Sequence, residues 1–112
     1  MTDLRTARRL ALALPEATEQ DHHGRASFRV GTRIFATVPD EAHLNVMLDT
    51  EGADAWLDRA PGVASELTWG AKVCGVVVKL GAADEEFLEP LLIEAWRRVA
   101  PKRAQRAFDE RD

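Results

Sequence analysis

The residues best suited to chemistry or binding stand together in the segment DHHGRASFRVGTRIFATV. Imidazole rings can hold a metal or move a proton, and guanidinium groups bind phosphate or guanine through paired hydrogen bonds. The segment could therefore be a chemical site, a surface that binds an anion, or a hairpin with ordinary polar side chains. Its candidate residues are the adjacent histidines His22 and His23 and the arginines Arg25, Arg29 and Arg33.

The spacing of the possible catalytic and metal-ligating residues argues against an enzyme. His22 and His23 are adjacent, so in a strand they point to opposite faces, and the third histidine, His43, lies on another predicted strand. The chain has no tyrosine, no G-x-S-x-G and no glycine-rich phosphate loop. We predict no metal, no cofactor and no catalytic activity.

The single cysteine, Cys74, excludes an intrachain disulfide and a zinc site built on several cysteines. Its neighbours in KVCGVVVKL predict a buried thiol in a strand. The 112 residues are 46% hydrophobic and 30% charged, which is typical of one soluble globular domain over residues 1–112. No apolar run is long enough for a membrane span, and LALALP is too short for a signal-peptide core. We expect a cytoplasmic protein.

The charges are unevenly distributed along the chain. Residues 1–38 carry a net charge of +2, residues 39–94 carry −9 and residues 95–112 carry +3, which together give −4. A positive face could form if the two ends meet in the fold. Alternatively, the arginines pair with the acidic middle of the same chain or are simply solvated.

The hydrophobic pattern predicts helices at both ends and a β-meander between them. Helices are expected from Leu4 to Leu14, capped by Thr2 or Asp3 and ended by Pro15, and from the cap Thr50 through about Arg59. A long helix begins after Asp84 with a kink at Pro90, and a polar helical tail covers 102–110. Strands are expected over 18–23, 25–30, 33–38, 43–49, 63–69 and 73–80. The predicted fold is α+β, with an antiparallel sheet packed on one face by the N- and C-terminal helices in two layers.

Two rules conflict at the hairpin turn Gly31-Thr32. A two-residue type II′ turn places Phe28 opposite Phe35. The hydrophobic pattern instead favours an extra loop residue or a bulge, because a slip of one residue reverses the faces of a strand. We favour the bulged register. It puts one face toward the core, with Ala26, Phe28, Val30, Ile34, Ala36 and Val38, and leaves Arg25, Ser27, Arg29 and Thr37 on the other.

Two tryptophans have ambiguous roles. Trp96 lies on the apolar stripe of the last long helix, which favours a core position. Trp69 stands beside Gly70 at the end of a strand, where a core role and a base-stacking role are about equally supported.

The chain also resembles a known family. ALPEA, HGRASFRVGTRIFATV, LTWG, VVVKL and especially EAWRRVAPKR look like the MmcQ/YjbR-like proteins over essentially the whole length. The resemblance implies a compact, frataxin-like α+β fold. It also implies DNA binding, which in this family is inferred from hairpins that are compared to wings, and it transfers no catalytic residues.

Our leading hypothesis is therefore a non-catalytic protein that binds DNA weakly. A basic β-hairpin would act as a ribbon in the major groove, helped by the C-terminal segment. The residues expected to contact nucleic acid are Arg25, Arg29, Arg33, Lys102 and Arg103. The alternative is a protein- or small-ligand-binding module without nucleic acid, with a pocket near His22, His23 and Trp69. A third reading, by analogy with the frataxin-like fold, places a metal on Asp84, Glu85 and Glu89.

Overall fold

The structure is a computed structural model that describes residues 1–111. In this range four α-helices and six β-strands follow one another in the order that the sequence predicts. The helices are α1 (Leu4–Leu12), α2 (Thr50–Arg59), α3 (Glu85–Val99) and α4 (Lys102–Glu110), with a short 3-10 turn at Leu80–Ala82. The strands are β1 (Ala17–His22), β2 (Arg25–Val30), β3 (Arg33–Asp40), β4 (His43–Met47), β5 (Ala64–Trp69) and β6 (Lys72–Lys79).

The six strands form one antiparallel sheet in the order β1-β2-β3-β4-β6-β5. Helices α1, α2 and α3 pack against the sheet, and their apolar residues share one core with its inner face. The predicted two-layer α+β fold is confirmed. Helix α2 also belongs to the helical layer, where it covers β5 and β6.

One row of side chains shows how the strands build the core. Phe28, Ala36, Val46 and Val76 lie opposite one another on β2, β3, β4 and β6 and are fully buried. Strand β6 lies between two other strands. Its VVV run is typical of a strand buried on both faces, but only Val76 and Val78 are fully buried, and Val77 on the opposite face is half-buried. Trp96 is fully buried against this core, so the prediction of a core position is confirmed.

The β2–β3 hairpin satisfies both of the rules that conflicted in the sequence. Val30 pairs with Arg33 across a two-residue turn, and Gly31 has a φ of 63°, which glycine adopts at no steric cost. A bulge then shifts the register, so that Phe28 lies opposite Ala36. The predicted bulged register is thus confirmed, although the turn itself needs no extra residue.

The bulge corrects one detail of the predicted core. Ile34 was expected on the core face, but it lies opposite Arg29 and is only half-buried, whereas Phe35 is fully buried. The extra residue of a bulge re-aims the side chains beside it. Two adjacent apolar residues give no local signal of which one the bulge turns inward.

The helix caps differ in part from the predictions. Asp49, not Thr50, caps α2, because its carboxylate accepts from the Gly52 N–H at 2.7 Å. Thr50 instead donates its hydroxyl to the Val73 carbonyl oxygen at 3.1 Å. Asp84 caps α3 as expected. The helix α3 runs through Pro90 as one element.

Candidate nucleic-acid interface

One face of the sheet carries no helix of the described chain, and we call it the open face. It holds every second residue of each strand, on the side opposite the buried row. Across its middle, Gln20, Ser27, Thr37, Asn45 and Val77 lie opposite one another on five neighbouring strands. The Asn45 side-chain amide donates to the Thr37 hydroxyl at 3.2 Å. Of this row, which we call the polar row, Gln20 is exposed and Thr37 and Asn45 are half-buried, so their side chains leave hydrogen-bonding groups at the surface.

Arg29 is held on the open face by a buried serine. Its Nε donates to the Ser27 hydroxyl at 2.9 Å, and that hydroxyl donates to the Gln20 carbonyl oxygen at 2.9 Å. A terminal nitrogen of Arg29 also lies 3.4 Å from the Asp21 carbonyl oxygen and 3.5 Å from His22 Nδ1. These contacts fix the orientation of the guanidinium group without neutralising its charge.

The other two hairpin arginines occupy different places. Arg25 shares the open face with Arg29 by strand alternation, and its guanidinium donates to the Pro39 carbonyl oxygen. Arg33 is exposed at the tip of the hairpin, directly opposite Val30. Because opposite residues in a sheet share a face, Arg33 lies on the helix side of the rim. The structure therefore places Arg25 and Arg29 on the same face of β2, four residues apart, and Arg33 at the edge.

The hairpin arginines differ from several other arginines in their charge environment. In residues 1–111, Arg25, Arg29 and Arg33 form no ion pair with a carboxylate. Four arginines elsewhere do, each with a nitrogen–oxygen distance between 2.6 and 2.8 Å: Arg8 with Glu19, Arg9 with Glu85, Arg97 with Asp109 and Arg103 with Glu16. The hairpin charges are thus left available for an anionic partner.

The C-terminal residues of the predicted interface do not join the open face. Lys102 and Arg103 begin α4, which packs on the helical side through Ala104 and Phe108. Both hydrogen bonds from Arg103 end on Glu16, at 2.8 and 2.9 Å, and this contact raises the pKa of the guanidinium. The five arginines and lysines expected in one patch are therefore split between two sides of the molecule.

The hairpin is also not a free ribbon. β1 pairs with β2 along its whole length, and β4 pairs with β3 on the other side. A two-stranded ribbon enters the major groove only where its edges are unencumbered, because the groove is about 12 Å wide. The hairpin therefore does not stand free of the sheet, and nucleic-acid binding through its arginines stays a prediction.

The alternative pocket near the histidines and Trp69 does not form. His22 ends β1 at one edge of the sheet, and Trp69 ends β5 at the other edge. Five strand spacings of about 4.8 Å separate these edges by roughly 24 Å. The histidine rings of His22 and His23 contact each other at 4.5 Å, while the Trp69 side chain stands 83% exposed.

The clefts lie elsewhere on the surface. One of about 390 Å³ is lined by acidic, basic and apolar groups at the start of α2 and β6, including Asp49, Lys72 and Arg98. Cys74, which was predicted to be buried, is half-buried in its wall. Another cleft of about 320 Å³ lies over β1 and β2 and includes Asp21 and Arg25.

The residues of the metal hypothesis have structural contacts of their own. Asp84 accepts from the Phe87 N–H at 2.8 Å, and Glu85 pairs with Arg9 at 2.6 Å. The described residues contain no group of three or more histidine, cysteine or acidic side chains that could hold a metal.

The helices described also include none with the length and apolar character that a membrane span requires.

Comparisons with known proteins place the chain in a family. Curated proteins include no significant match to it. Among solved structures, it is similar to the crystal structure of the Deinococcus radiodurans protein DR2400, a DUF419 domain. That similarity has a TM-score of 0.75 at 21% identity, and it covers all of this chain and 91% of the other. The family model named YjbR matches residues 12–98, which include the hairpin and Trp69 but not α4. The chain belongs to the YjbR family.

Proposed function

We propose that this YjbR-family protein is a cytoplasmic, non-catalytic nucleic-acid-binding protein whose open sheet face contacts the phosphate backbone. Arg25 and Arg29 supply two positive charges on the open face, and Arg33 supplies a third at the rim. The single observation that carries the proposal is that three arginines without an ion pair lie on one hairpin, whereas four other arginines within residues 1–111 are paired. Five further arginines of these residues also form no ion pair, but they lie on or next to the four helices: Arg5, Arg59, Arg98, Arg106 and Arg111. A cation without an internal partner gains more from a phosphate than one that must first leave a carboxylate.

The net charge of −4 limits the strength of this binding. Phosphate contacts dominate non-specific affinity, and each neutralised phosphate contributes about −0.7 for a single strand or −0.9 for a duplex to the slope of log K against log salt. Three arginine contacts therefore predict a slope of roughly −2 to −3. Between 50 and 200 mM salt the affinity should fall roughly 20- to 40-fold. Binding is expected to be measurable at low salt and weak at physiological salt.

A matched pair of triple variants tests the proposal by fluorescence anisotropy with labelled oligonucleotides. The test variant is Arg25→Gln, Arg29→Gln and Arg33→Gln, which removes the unpaired charges. The control is Arg8→Gln, Arg97→Gln and Arg103→Gln, which changes the net charge equally but removes paired arginines of the helical side.

The hairpin variant should bind weakly at 50 mM salt, with a slope reduced by about 2 to 3 units. The control should keep the wild-type slope, because exposed ion pairs contribute little to stability and their arginines are engaged. Equal effects of the two triple variants, or no wild-type binding at 50 mM salt, would refute the proposal.

A further inference from the structure

The shape of the open face restricts which nucleic acid it can bind. The face is a broad sheet of six strands, roughly 24 Å across. A duplex could touch such a surface only along its outer ridge, since its base edges lie within grooves. A single strand can lie flat on a sheet and present unstacked bases to side chains. The open face therefore favours a single strand.

Trp69 supplies the stacking surface that a single strand requires. Its side chain is 83% exposed at the end of β5. Trp69 follows Leu67 by two residues on the same strand, so strand alternation places it on the open face. The other two tryptophans are buried and have hydrogen-bonded indole N–H groups, from Trp56 to Glu94 and from Trp96 to the Pro15 carbonyl oxygen. In residues 1–111 the Trp69 ring has no such partner. An exposed indole is favoured where it stacks on a partner.

Three apolar residues of β3, β4 and β5, which we call the apolar stripe, lie between the arginines and this tryptophan. Arg29 lies opposite Ile34 on β3, and farther across the sheet Met47 and Leu67 flank Gly75 on the same face. Ile34, Met47 and Leu67 are all half-buried. Lys72 lies opposite Trp69 and also lines the cleft at the start of α2, so we place it at the rim and not among the open-face contacts. The stripe offers sugar and base contacts between the arginines and the indole ring.

The dimensions match a short oligonucleotide. Strands β2 and β5 are four spacings apart, or roughly 19 Å. The roughly 3.4 Å rise of a stacked strand is the smallest spacing per nucleotide, so at most roughly six nucleotides span this distance and an unstacked strand needs fewer. This length lies at the lower end of the range of about 4–16 nucleotides found for sheet-based single-strand sites. Asn45 and Thr37 lie in the adjacent polar row and bond to each other at 3.2 Å. The Asn45 amide retains an acceptor and one donor for base edges.

We infer that single-stranded nucleic acid lies across the open face, from Arg25 and Arg29 along the apolar stripe to Trp69, with one base stacked on the indole. This inference rests on the proposed function and deepens it, because it names the form of nucleic acid and the second contact. The stacking contact is independent of charge, so it should change affinity without changing the salt slope.

The experiment measures binding of labelled dT12, rU12 and the dA12·dT12 duplex to the full chain at 50 mM salt. The variants are Trp69→Ala and Trp69→Phe, with Leu12→Ala as the matched control, since Leu12 is a partly exposed apolar residue on α1. We expect a single strand to bind more tightly than the duplex. Trp69→Ala should weaken single-strand binding roughly 5- to 150-fold with an unchanged salt slope, whereas Trp69→Phe and Leu12→Ala should change it little.

Intrinsic fluorescence gives a second readout, because among the residues that the structure describes Trp69 is the one exposed tryptophan. Saturation with the bound strand should quench its emission and protect it from iodide. Tighter binding of dT12 or of rU12 supports the inference in either case and identifies the sugar preferred. Equal or tighter duplex binding, or full affinity of Trp69→Ala, overturns it. If either result occurs but the hairpin triple variant still loses binding, the proposed function stands and only the single-strand inference fails. If the protein binds none of the three oligonucleotides, both the inference and the proposed function are overturned.

Discussion

Gly75 is a position in the sheet that leaves no room for a side chain. It lies in β6, opposite Met47 on β4 and Leu67 on β5. A Cβ atom placed on it would overlap the carbonyl oxygen of Val46 and would lie 3.0 Å from the Val46 carbonyl carbon and 3.1 Å from Met47 Cα. These neighbours are backbone atoms of a paired strand, so they cannot rotate away as a flexible side chain can.

Substitution Gly75→Ala must therefore push β4 and β6 apart by the order of 1 Å. Overpacking of this kind costs about 1–3 kcal/mol and sometimes more, and the backbone clash indicates a value near 3 kcal/mol at this site. That loss is a large share of the roughly 5–15 kcal/mol that stabilise a typical domain. At about 4 °C per kcal/mol for a chain of this size, the melting temperature should fall by roughly 10 °C.

Gly81→Ala is the matched control. Gly81 lies in the 3-10 turn, a Cβ atom there would meet no atom within 4 Å, and its φ is not in the left-handed region. Its substitution should leave stability unchanged or raise it by about 0.4–1 kcal/mol, because alanine restricts the unfolded chain. Both variants should be compared by thermal and urea unfolding. Equal stability of Gly75→Ala and Gly81→Ala would refute the close packing of β4 against β6.

Three further predictions concern the cap, the bulge and the support of the arginine. The hydrogen bond from the Thr6 N–H lowers the pKa of Asp3. The ionised Asp3 carboxylate therefore stabilises α1 above the ordinary carboxyl pKa, and this stabilisation is lost as the pH falls through the lowered pKa of the folded state. NMR titration should show the low midpoint of Asp3, and Asp3→Asn should remove this pH dependence from urea unfolding. Phe35→Ala should cost about 3–5 kcal/mol and Ile34→Ala clearly less, since the bulge buries only the first of them; a reversed order in urea unfolding would contradict the register. Ser27→Ala should cost about 1–2 kcal/mol in the same assay, because it leaves a buried carbonyl oxygen and a guanidinium without their shared hydroxyl; an unchanged midpoint would show that the hydroxyl is dispensable.

The local sequence was sufficient to predict most of the elements. The apolar stripe of α3 predicted a buried Trp96, because burial follows directly from periodicity. At the hairpin the turn rule correctly predicted a two-residue turn, and the hydrophobic pattern correctly predicted a bulge; both occur in the structure. Which of Ile34 and Phe35 the bulge turns into the core depends on packing beneath the sheet, and local sequence propensity does not predict that packing.

The arrangement of the candidate site could not be predicted in the same way. The pair between Arg103 and Glu16 joins residues 87 positions apart, so the chain gives no local sign that one basic residue is engaged. The separation of His22 from Trp69 follows from the strand order, in which β1 and β5 form the two edges. Strand order is set by long-range pairing, and the composition of each strand is compatible with several orders.

The most direct test of the account is to map the surface that nucleic acid contacts. Amide chemical shifts of ¹⁵N-labelled protein titrated with dT12 at low salt, together with the three indole N–H signals, report each residue separately. We predict shifts at Arg29, Asn45 and Trp69 on the open face and unchanged indole signals from the buried Trp56 and Trp96. Shifts confined to the helical side around α1 and α4, or none at saturating oligonucleotide, would contradict the account.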